Sequence, residues 1–363
     1  MSYKKKRFKA YLLKLLTRKR HTHLDPGKVK KVLILKYDRI GDMVATTPIF
    51  RELKLAFPDV QISVLASQTN KDIIKYNPYV ESIYTNYKNN ILGDLYTLLK
   101  LRRKKFDVCI ELEHSVIPHA IIRLKIIKPK KVVSIYKDGR YGVKGSELAL
   151  YDFYTKKSKS KHFADIWLET LSFFQLKGLS NKYDIFLSDK ENDRAKKFIG
   201  KYKKNIKIGI NLKGSFKEKQ IYPDKLYSIC KKIYAHDDNV QIIILNAQSD
   251  SVRINNLVSK MNFKFIVPAY PTENILHAAA LIRQFDLIIT PDTSITHIAS
   301  AFDVPIVTIH ENNNDSYRLW KPLSTLNRTI FAKNKYGIEN FSVDDVVNAS
   351  LSLLESIGKS NRK

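Results

Sequence analysis

Two stretches of this sequence hold residues whose types and spacing could do chemistry. The first runs from Lys36 to Pro48, Lys-Tyr-Asp-Arg-Ile-Gly-Asp-Met-Val-Ala-Thr-Thr-Pro, directly after the apolar run Val32 to Leu35. A buried strand that passes through a Gly-Asp turn into a helix places Asp42 just beyond a strand's carboxyl end, where open α/β sheets hold their ligands. A carboxylate there can take the proton of an attacking hydroxyl. Gly41 leaves room for the incoming group, Lys36 and Arg39 supply positive charge, and Thr47 follows on the helix. The plainer role for Asp42 is to cap a helix starting at Met43, and capping and proton transfer are compatible.

The second stretch is Thr290-Pro-Asp-Thr-Ser-Ile-Thr-His-Ile-Ala-Ser-Ala-Phe-Asp-Val-Pro, a strand end followed by a helix rich in capping residues. Asp292 or Thr293 would cap this helix, leaving the amides near Ser294 and Ile295 to hold a phosphate with the help of the helix dipole. On spacing alone, a merely well-capped helix explains the pattern equally well. His297, one turn inside, either reaches a ligand or is a satisfied buried histidine, the commoner case. Two further places face the same expected strand ends. The loop after Leu212 carries Lys213, Gly214, Ser215, Lys217 and Lys219, cations suited to a departing diphosphate, although each can also be an ordinary surface lysine. Asn246 sits where a strand ends and can contact a nucleotide or simply form a turn.

The elements that must position these residues alternate. Strands are expected at Val32 to Leu35, Val60 to Ala66, Ser82 to Thr85, Asp107 to Glu111 and Lys131 to Ile135, with helical patterns between them and an amphipathic stretch from Phe163 to Leu176. A Lys-rich run from Ser180 to Asn205, with a helix near Glu191 to Ile199, precedes a second series: Ile206 to Leu212, Val240 to Asn246, Phe263 to Val267, Asp286 to Thr290 and Ile306 to His310. Repeated alternation implies parallel sheets with helices on both faces. The chain thus divides into a basic amphipathic extension (1–28), a first doubly wound domain (29–180), a connection (181–205), a second doubly wound domain (206–340) and a C-terminal helix and tail (341–363), the helix running from Val343 to Ile357.

At 363 residues and 44% hydrophobic content the chain is too long for one ordinary core and too apolar to be disordered. Lys and Arg number 64 against 35 Asp and Glu, a formal charge of +29 that points to an anionic partner: nucleic acid, an acidic membrane surface or a phosphorylated glycolipid. Cys109 and Cys230 form no Cys-x-x-Cys pair, which suggests buried hydrophobes in a reducing compartment. No run is long enough to span a membrane or to serve as a signal peptide, so a cytoplasmic location is expected. Phe8, Tyr11, Leu12, Leu15 and Leu16 follow helical spacing amid Lys4, Lys5, Lys6, Arg7, Lys9, Lys14, Arg18, Lys19 and Arg20. Such a helix either lies on an anionic bilayer or packs on the protein with a solvated basic face. Neither half opens with Gly-x-Gly-x-x-Gly, no P-loop sequence occurs, and no Asp-x-Asp pair is present, so dinucleotide, nucleotide-triphosphate and metal-held diphosphate chemistry are not indicated.

Taken together, the two stretches resemble the family 9 glycosyltransferases, the lipopolysaccharide heptosyltransferase family. Lys36 to Pro48 is similar to that family's N-terminal Gly-Asp segment, and Asp292 to Ala301 to its Asp-(Thr/Ser)-x-x-x-His-x-Ala-x-Ala segment. The resemblance implies a GT-B architecture, two Rossmann-like α/β domains facing a central cleft, and inverting transfer of a heptose or related sugar from a nucleotide donor, typically ADP-heptose, to the lipopolysaccharide inner core. It implies Asp42 as general base, Lys36, Arg39, Gly41 and Thr47 on the acceptor side, and Lys213, Gly214, Ser215, Lys219, Asn246, Asp292, Thr293, Ser294, Ile295 and His297 on the donor side. No metal or cofactor is expected, and the partners would be the nucleotide sugar, an anionic lipopolysaccharide precursor and, peripherally, the cytoplasmic face of the inner membrane. One departure stands out: a family pattern of Lys, one residue, Trp and Pro is replaced by Lys219-Gln220-Ile221-Tyr222-Pro223, which moves the lysine one position from the proline. The competing readings are a transferase of the same fold using another nucleotide sugar and surface glycan, and a nucleic-acid- or lipid-binding protein without catalysis. Against nucleic acid, the basic residues are spread over the whole chain and no reading module is evident.

Overall fold

The computed structural model describes residues 3–17, 23–86, 90–140, 142–158, 160–214 and 216–360. Arg18, Lys19, Arg20 and Ser215, named above, lie outside them. The chain divides into two compact units, Met1–Asn181 and Lys182–Lys363.

In the first unit the strands are β1 (Lys31–Leu35), β2 (Gln61–Ser67), β3 (Ser82–Asn86), β4 (Val108–Glu111), β5 (Lys131–Ser134) and β6 (Phe153–Tyr154). Its helices are α1 (Tyr3–Thr17), α2 (Ile40–Ala56), α3 (Ile91–Arg103), α4 (Pro118–Ile127) and α5 (Phe163–Leu168). The second unit has β7 (Ile206–Ile210), β8 (Val240–Ile244), β9 (Ile266–Pro268), β10 (Leu287–Pro291), β11 (Ile306–His310) and β12 (Asn327–Phe331). Its helices are α6 (Asp189–Ile199), α7 (Pro223–His236), α8 (Ser251–Met261), α9 (Ile275–Ile282), α10 (Ser294–Ala301), α11 (Asn314–Trp320) and α12 (Val343–Ser360).

Both sheets are parallel and share one topology: β3-β2-β1-β4-β5-β6 in the first unit and β9-β8-β7-β10-β11-β12 in the second. Each is a doubly wound sheet whose strand order reverses at one place, between β1 and β4 and between β7 and β10. A crevice opens at that reversal because the flanking connections leave for opposite faces. The central strands are buried on both faces, which is why they read as Val, Ile and Leu runs without alternation. One core, containing Ile208, Ile210, Ile242, Ile289 and Ile309, joins the second sheet to α7 and to Val346 and Leu353 of α12. The other, with Leu33, Leu35, Cys109 and Val132, lies beneath Leu13 of α1, Leu98 and Leu101 of α3 and Ile121, Leu124 and Ile127 of α4. Cys109 and Cys230 are both buried thiols, and burial pushes the Cys230 thiol up, as expected of packing residues.

Most expected strands form within one or two residues of their expected ends. Phe263 does not join β9 because it closes a turn, its carbonyl accepting from Ile266 N at 3.2 Å. Two edge strands escape the sequence pattern: β6 is two residues long, and β12 is only half-buried, so neither shows a sustained apolar run. The stretch from Phe163 breaks into α5 and a 3₁₀ turn, Glu169–Phe174, ended by Gln175 in the left-handed region at φ 63°. Among the described residues no helix is long and apolar enough to cross a membrane.

Candidate functional site

Charged side chains gather at the reversal point of each sheet. In the first unit, Lys36 follows β1 and is buried, with Nζ 3.0 Å from Asp38 Oδ2 and 3.1 Å from Asp42 Oδ1 and 4.3 Å above the Trp167 ring. Burial acts to lower the Lys36 pKa, but the Asp42 and Asp38 carboxylates outweigh it and hold the ammonium above its ordinary value. The β1–α2 loop is pinned by the Asn70 amide, which donates to the Lys36 carbonyl at 3.2 Å and reaches those of Asp38 and Arg39.

Asp42 does not cap α2, correcting the simpler of its two expected roles. The helix begins at Ile40, Arg39 is the cap residue without a side-chain bond, and Asp42 lies in the first turn, where a negative charge suits the helix dipole. Its carboxylate is directed to Lys36 instead. Gly41 is buried and Arg39 exposed. Thr47 is not brought to this surface: it is fully buried and its hydroxyl donates to the Val44 carbonyl at 2.7 Å. That carbonyl loses its normal helical donor to Pro48, four residues on, so the Thr47 hydroxyl fills the gap left by the proline.

The end of β4 completes the cluster with residues that no local motif marks. Glu111, paired in register with Leu35 of β1, makes a buried ion pair with Lys137 and accepts from Ser134 Oγ at 3.1 Å. Lys137 also donates to the Glu113 carbonyl at 2.5 Å. Glu113 is pushed up to about 7, first by burial and then by repulsion from Asp38 and Glu111, against the pull of Lys36 and Lys137. His114 accepts from Trp167 Nε1 at 3.3 Å, and burial with the nearby Lys36 and Lys137 charges lowers it to about 3, so it stays neutral. This edge can hold a polar acceptor, with a carboxylate, a buried cation and a protonatable second carboxyl close by.

In the second unit, α10 begins at Ser294 with Thr293 as its cap, Oγ1 accepting from Ile295 N at 3.1 Å. The cap is held from the neighbouring strand by Asn211, whose amide donates to Thr290 Oγ1 at 2.9 Å and reaches Thr293 Oγ1 at 3.4 Å. Asp292 precedes the cap. Burial raises its carboxyl, but His310, Lys219 and His297 outweigh burial and hold it below the usual range. Lys219 reaches it despite the displaced proline, with Nζ 3.3 Å from Asp292 Oδ2 and 3.4 Å from Glu311 Oε1. The reason is a tight hairpin in which Lys213 pairs with Gln220 and Gly214 N donates to the Lys219 carbonyl at 2.6 Å. A Cβ on Gly214 would stand 2.3 Å from that oxygen, so the hairpin needs glycine there.

The remaining expected donor residues spread along the same strand ends. Lys213 is half exposed and pairs with Asp250 at 2.6 Å. Asn246 is buried and donates to the Ala269 carbonyl at 3.1 Å. His297 is buried, edge-on to Tyr183 and Trp320, and burial lowers it to about 4. His310 and Glu311, at the end of β11, are not marked by the sequence, since a His-Glu pair after an apolar strand carries no spacing signal. Asn246 Oδ1, His297 Nδ1 and His310 Nε2 have no hydrogen-bond partner among the described residues. Buried polar atoms of this kind cost about 1–3 kcal/mol each when left unmet.

Two doubly wound units of identical strand order, each with a charged cluster at its reversal point, define the GT-B class of glycosyltransferase fold. The sequence model of glycosyltransferase family 9 (heptosyltransferase) matches residues 97–346, and the chain belongs to that family. It is 25% identical over 340 residues to a putative lipopolysaccharide heptosyltransferase 4 of Escherichia coli K12, covering 88% of each chain. It is 24% identical over 302 residues to lipopolysaccharide heptosyltransferase 1 of Campylobacter coli, covering 77% of this chain and 83% of that one. Among solved structures, a family 9 glycosyltransferase of Veillonella parvula superposes with a TM-score of 0.76 at 19% identity, over 93% of this chain and all of the other. The ADP-heptose lipopolysaccharide heptosyltransferase II of E. coli gives 0.71 at 16% identity, over 90% of this chain and 99% of the other, a likeness of fold. The protein is a glycosyltransferase.

Proposed function

We propose that this chain is an inverting, metal-independent glycosyltransferase that takes a heptose or related sugar from a nucleotide donor, ADP-heptose first among them, and adds it to the lipopolysaccharide inner core. In this reading residues 29–180 hold the acceptor and residues 206–340 the donor. The acceptor hydroxyl oxygen attacks the anomeric carbon as the bond from that carbon to the diphosphate breaks. Asp42 takes the hydroxyl proton and ADP leaves with the bonding electron pair. The observation that carries the reading is Asp42 itself, a carboxylate in the first turn after the central strand, partly open to solvent and aimed by a buried lysine. Arg39, exposed at the start of α2, is the cation open to an anionic acceptor, while the buried Lys36 acts through Asp42, and the charge of +29 suits such a partner.

On the donor side the Ser294 and Ile295 end of α10 and Lys219 face the diphosphate, replacing the metal that an Asp-x-Asp pair would hold. Thr293, Asp292 and His297 line the same edge, and Asn246 contacts the nucleoside. The heptose is assigned from relatives that are lipopolysaccharide heptosyltransferases, and ADP from the family resemblance of the two stretches. Because the acceptor is a lipid, the protein works peripherally at the cytoplasmic face of the inner membrane. The test is thermal shift against ADP-, UDP-, GDP- and CMP-linked sugars followed by transfer to a Kdo-bearing lipid with product stereochemistry read by NMR. Stabilisation by the ADP sugar and an inverted linkage support the reading. Preferential stabilisation by another nucleotide sugar overturns the donor assignment, and a retained linkage overturns the mechanism.

A further inference from the structure

Helix α3 is apolar on both sides. Its inner face, Leu98 and Leu101, enters the first unit's core, while Ile91, Leu92, Leu95, Tyr96 and Leu99 point to solvent. Leu92, Leu95, Tyr96 and Leu99 follow the i, i+3, i+4, i+7 rule, so they form one outward stripe. Ile91, Leu92 and Tyr96 are 84%, 79% and 69% exposed, far beyond the scattered apolar residues of an ordinary surface. At the carboxyl end of the stripe stand Lys100, Arg102, Arg103, Lys104 and Lys105, all exposed. Helix α4 packs between α3 and α1, and all three cover the same core. Ile122 of α4 is half exposed, and α1 adds Phe8, Tyr11, Leu12, Leu15 and Leu16 outside its buried Leu13.

We infer that the outer faces of α1, α3 and α4 form one docking surface for an anionic lipid bilayer, with α3 as the element that enters the interface. The charge argues for lipid over a second copy. Asp94 is the only acidic residue on the three helices, and it is engaged with Arg123 at 3.1 Å. Two copies meeting on this face would bring like charges together, whereas anionic headgroups neutralise them as acyl chains receive Leu92 and Tyr96. The inference rests on the peripheral membrane association proposed above, but not on the donor, the acceptor or Asp42.

The test uses the full chain and vesicles of phosphatidylglycerol or phosphatidylcholine. Wild type should sediment with the phosphatidylglycerol vesicles and not with phosphatidylcholine, and Leu92→Asp/Tyr96→Asp and Arg102→Glu/Arg103→Glu should each bind at least about tenfold more weakly. In a Tyr96→Trp variant the added indole fluorescence should be quenched by brominated acyl chains. ADP binding should be unchanged in the double variants, which separates loss of docking from loss of the donor site. Wild-type-like vesicle binding by Leu92→Asp/Tyr96→Asp would overturn the inference, as would an added indole that brominated chains leave unquenched. Sedimentation velocity showing a wild-type dimer that the Leu92→Asp/Tyr96→Asp variant dissociates would assign the face to a second copy instead.

Discussion

Replacing Lys36 by methionine keeps the length of the side chain and removes the cation that pairs with both Asp38 and Asp42. At an effective dielectric of about 20, opposite charges 3.1 Å apart attract by about 5 kcal/mol. Not all of this is lost on replacement. Methionine removes the desolvation cost of the buried ammonium, and Asp38, about a third exposed, keeps much of its water. Removing one partner of a buried pair costs about 3–5 kcal/mol, and the open side of this cluster favours the lower end, about 3 kcal/mol. Amide hydrogen exchange in β1 and β4 reads the first unit by itself, and a loss of that size accelerates exchange by about 100-fold where exchange proceeds through unit opening. The mechanism makes a second demand. In a Lys36→Met background, Asp42→Asn should be stabilising because it removes an unpaired carboxylate, whereas in wild type it should be destabilising. The double-mutant coupling should therefore be about 2 kcal/mol. Additive effects of the two substitutions would refute the account of Lys36 as the group that aims Asp42.

Other consequences are as specific. Glu113 is raised to about 7 by burial and by Asp38 and Glu111, so its contribution to stability is fully present below the unfolded value near 4.5 and is lost as pH rises through about 7. Glu113→Gln should flatten the fall in melting temperature between pH 5 and 7.5, and an unchanged slope would count against the burial argument. His297 is lowered to about 4, so its stabilising neutral state is lost only as pH falls from about 6.5 toward 4, and its imidazole NMR signals should not titrate between pH 5.5 and 8. Gly209, in central strand β7, faces Phe285, whose ring carbons would lie 2.2 Å from an added Cβ. Gly209→Ala should destabilise the second unit by about 1–3 kcal/mol in hydrogen exchange, and adding Phe285→Leu should recover part of the loss.

Local pattern carried the strands and both chemical stretches, because a doubly buried parallel strand must be apolar throughout and a helix start must show its cap. Thr293 could thus be named from its neighbours alone. The other half of each cluster was hidden for the opposite reason. Glu111, Glu113 and Lys137 gather near Lys36 only because β4 lies beside β1 and β5 beside β4 in the sheet, and His310 and Glu311 come near Asp292 only because β11 lies beside β10. Neither adjacency leaves a spacing in the sequence. Lys219 shows the converse: its offset from Pro223 looks like a displacement, yet the hairpin closed at Gly214 returns the ammonium to Asp292. Thr47 looked available in sequence because nothing local says that Val44 would need its hydroxyl.

The central claim is that Asp42 takes the acceptor's proton. Its most direct test is single-turnover sugar transfer from ADP-heptose to a Kdo-bearing lipid by wild type and Asp42→Asn, with ADP affinity measured in parallel. The account predicts a rate lower by about 10²–10⁴ with ADP binding unchanged. Equal transfer rates for the two proteins would contradict it.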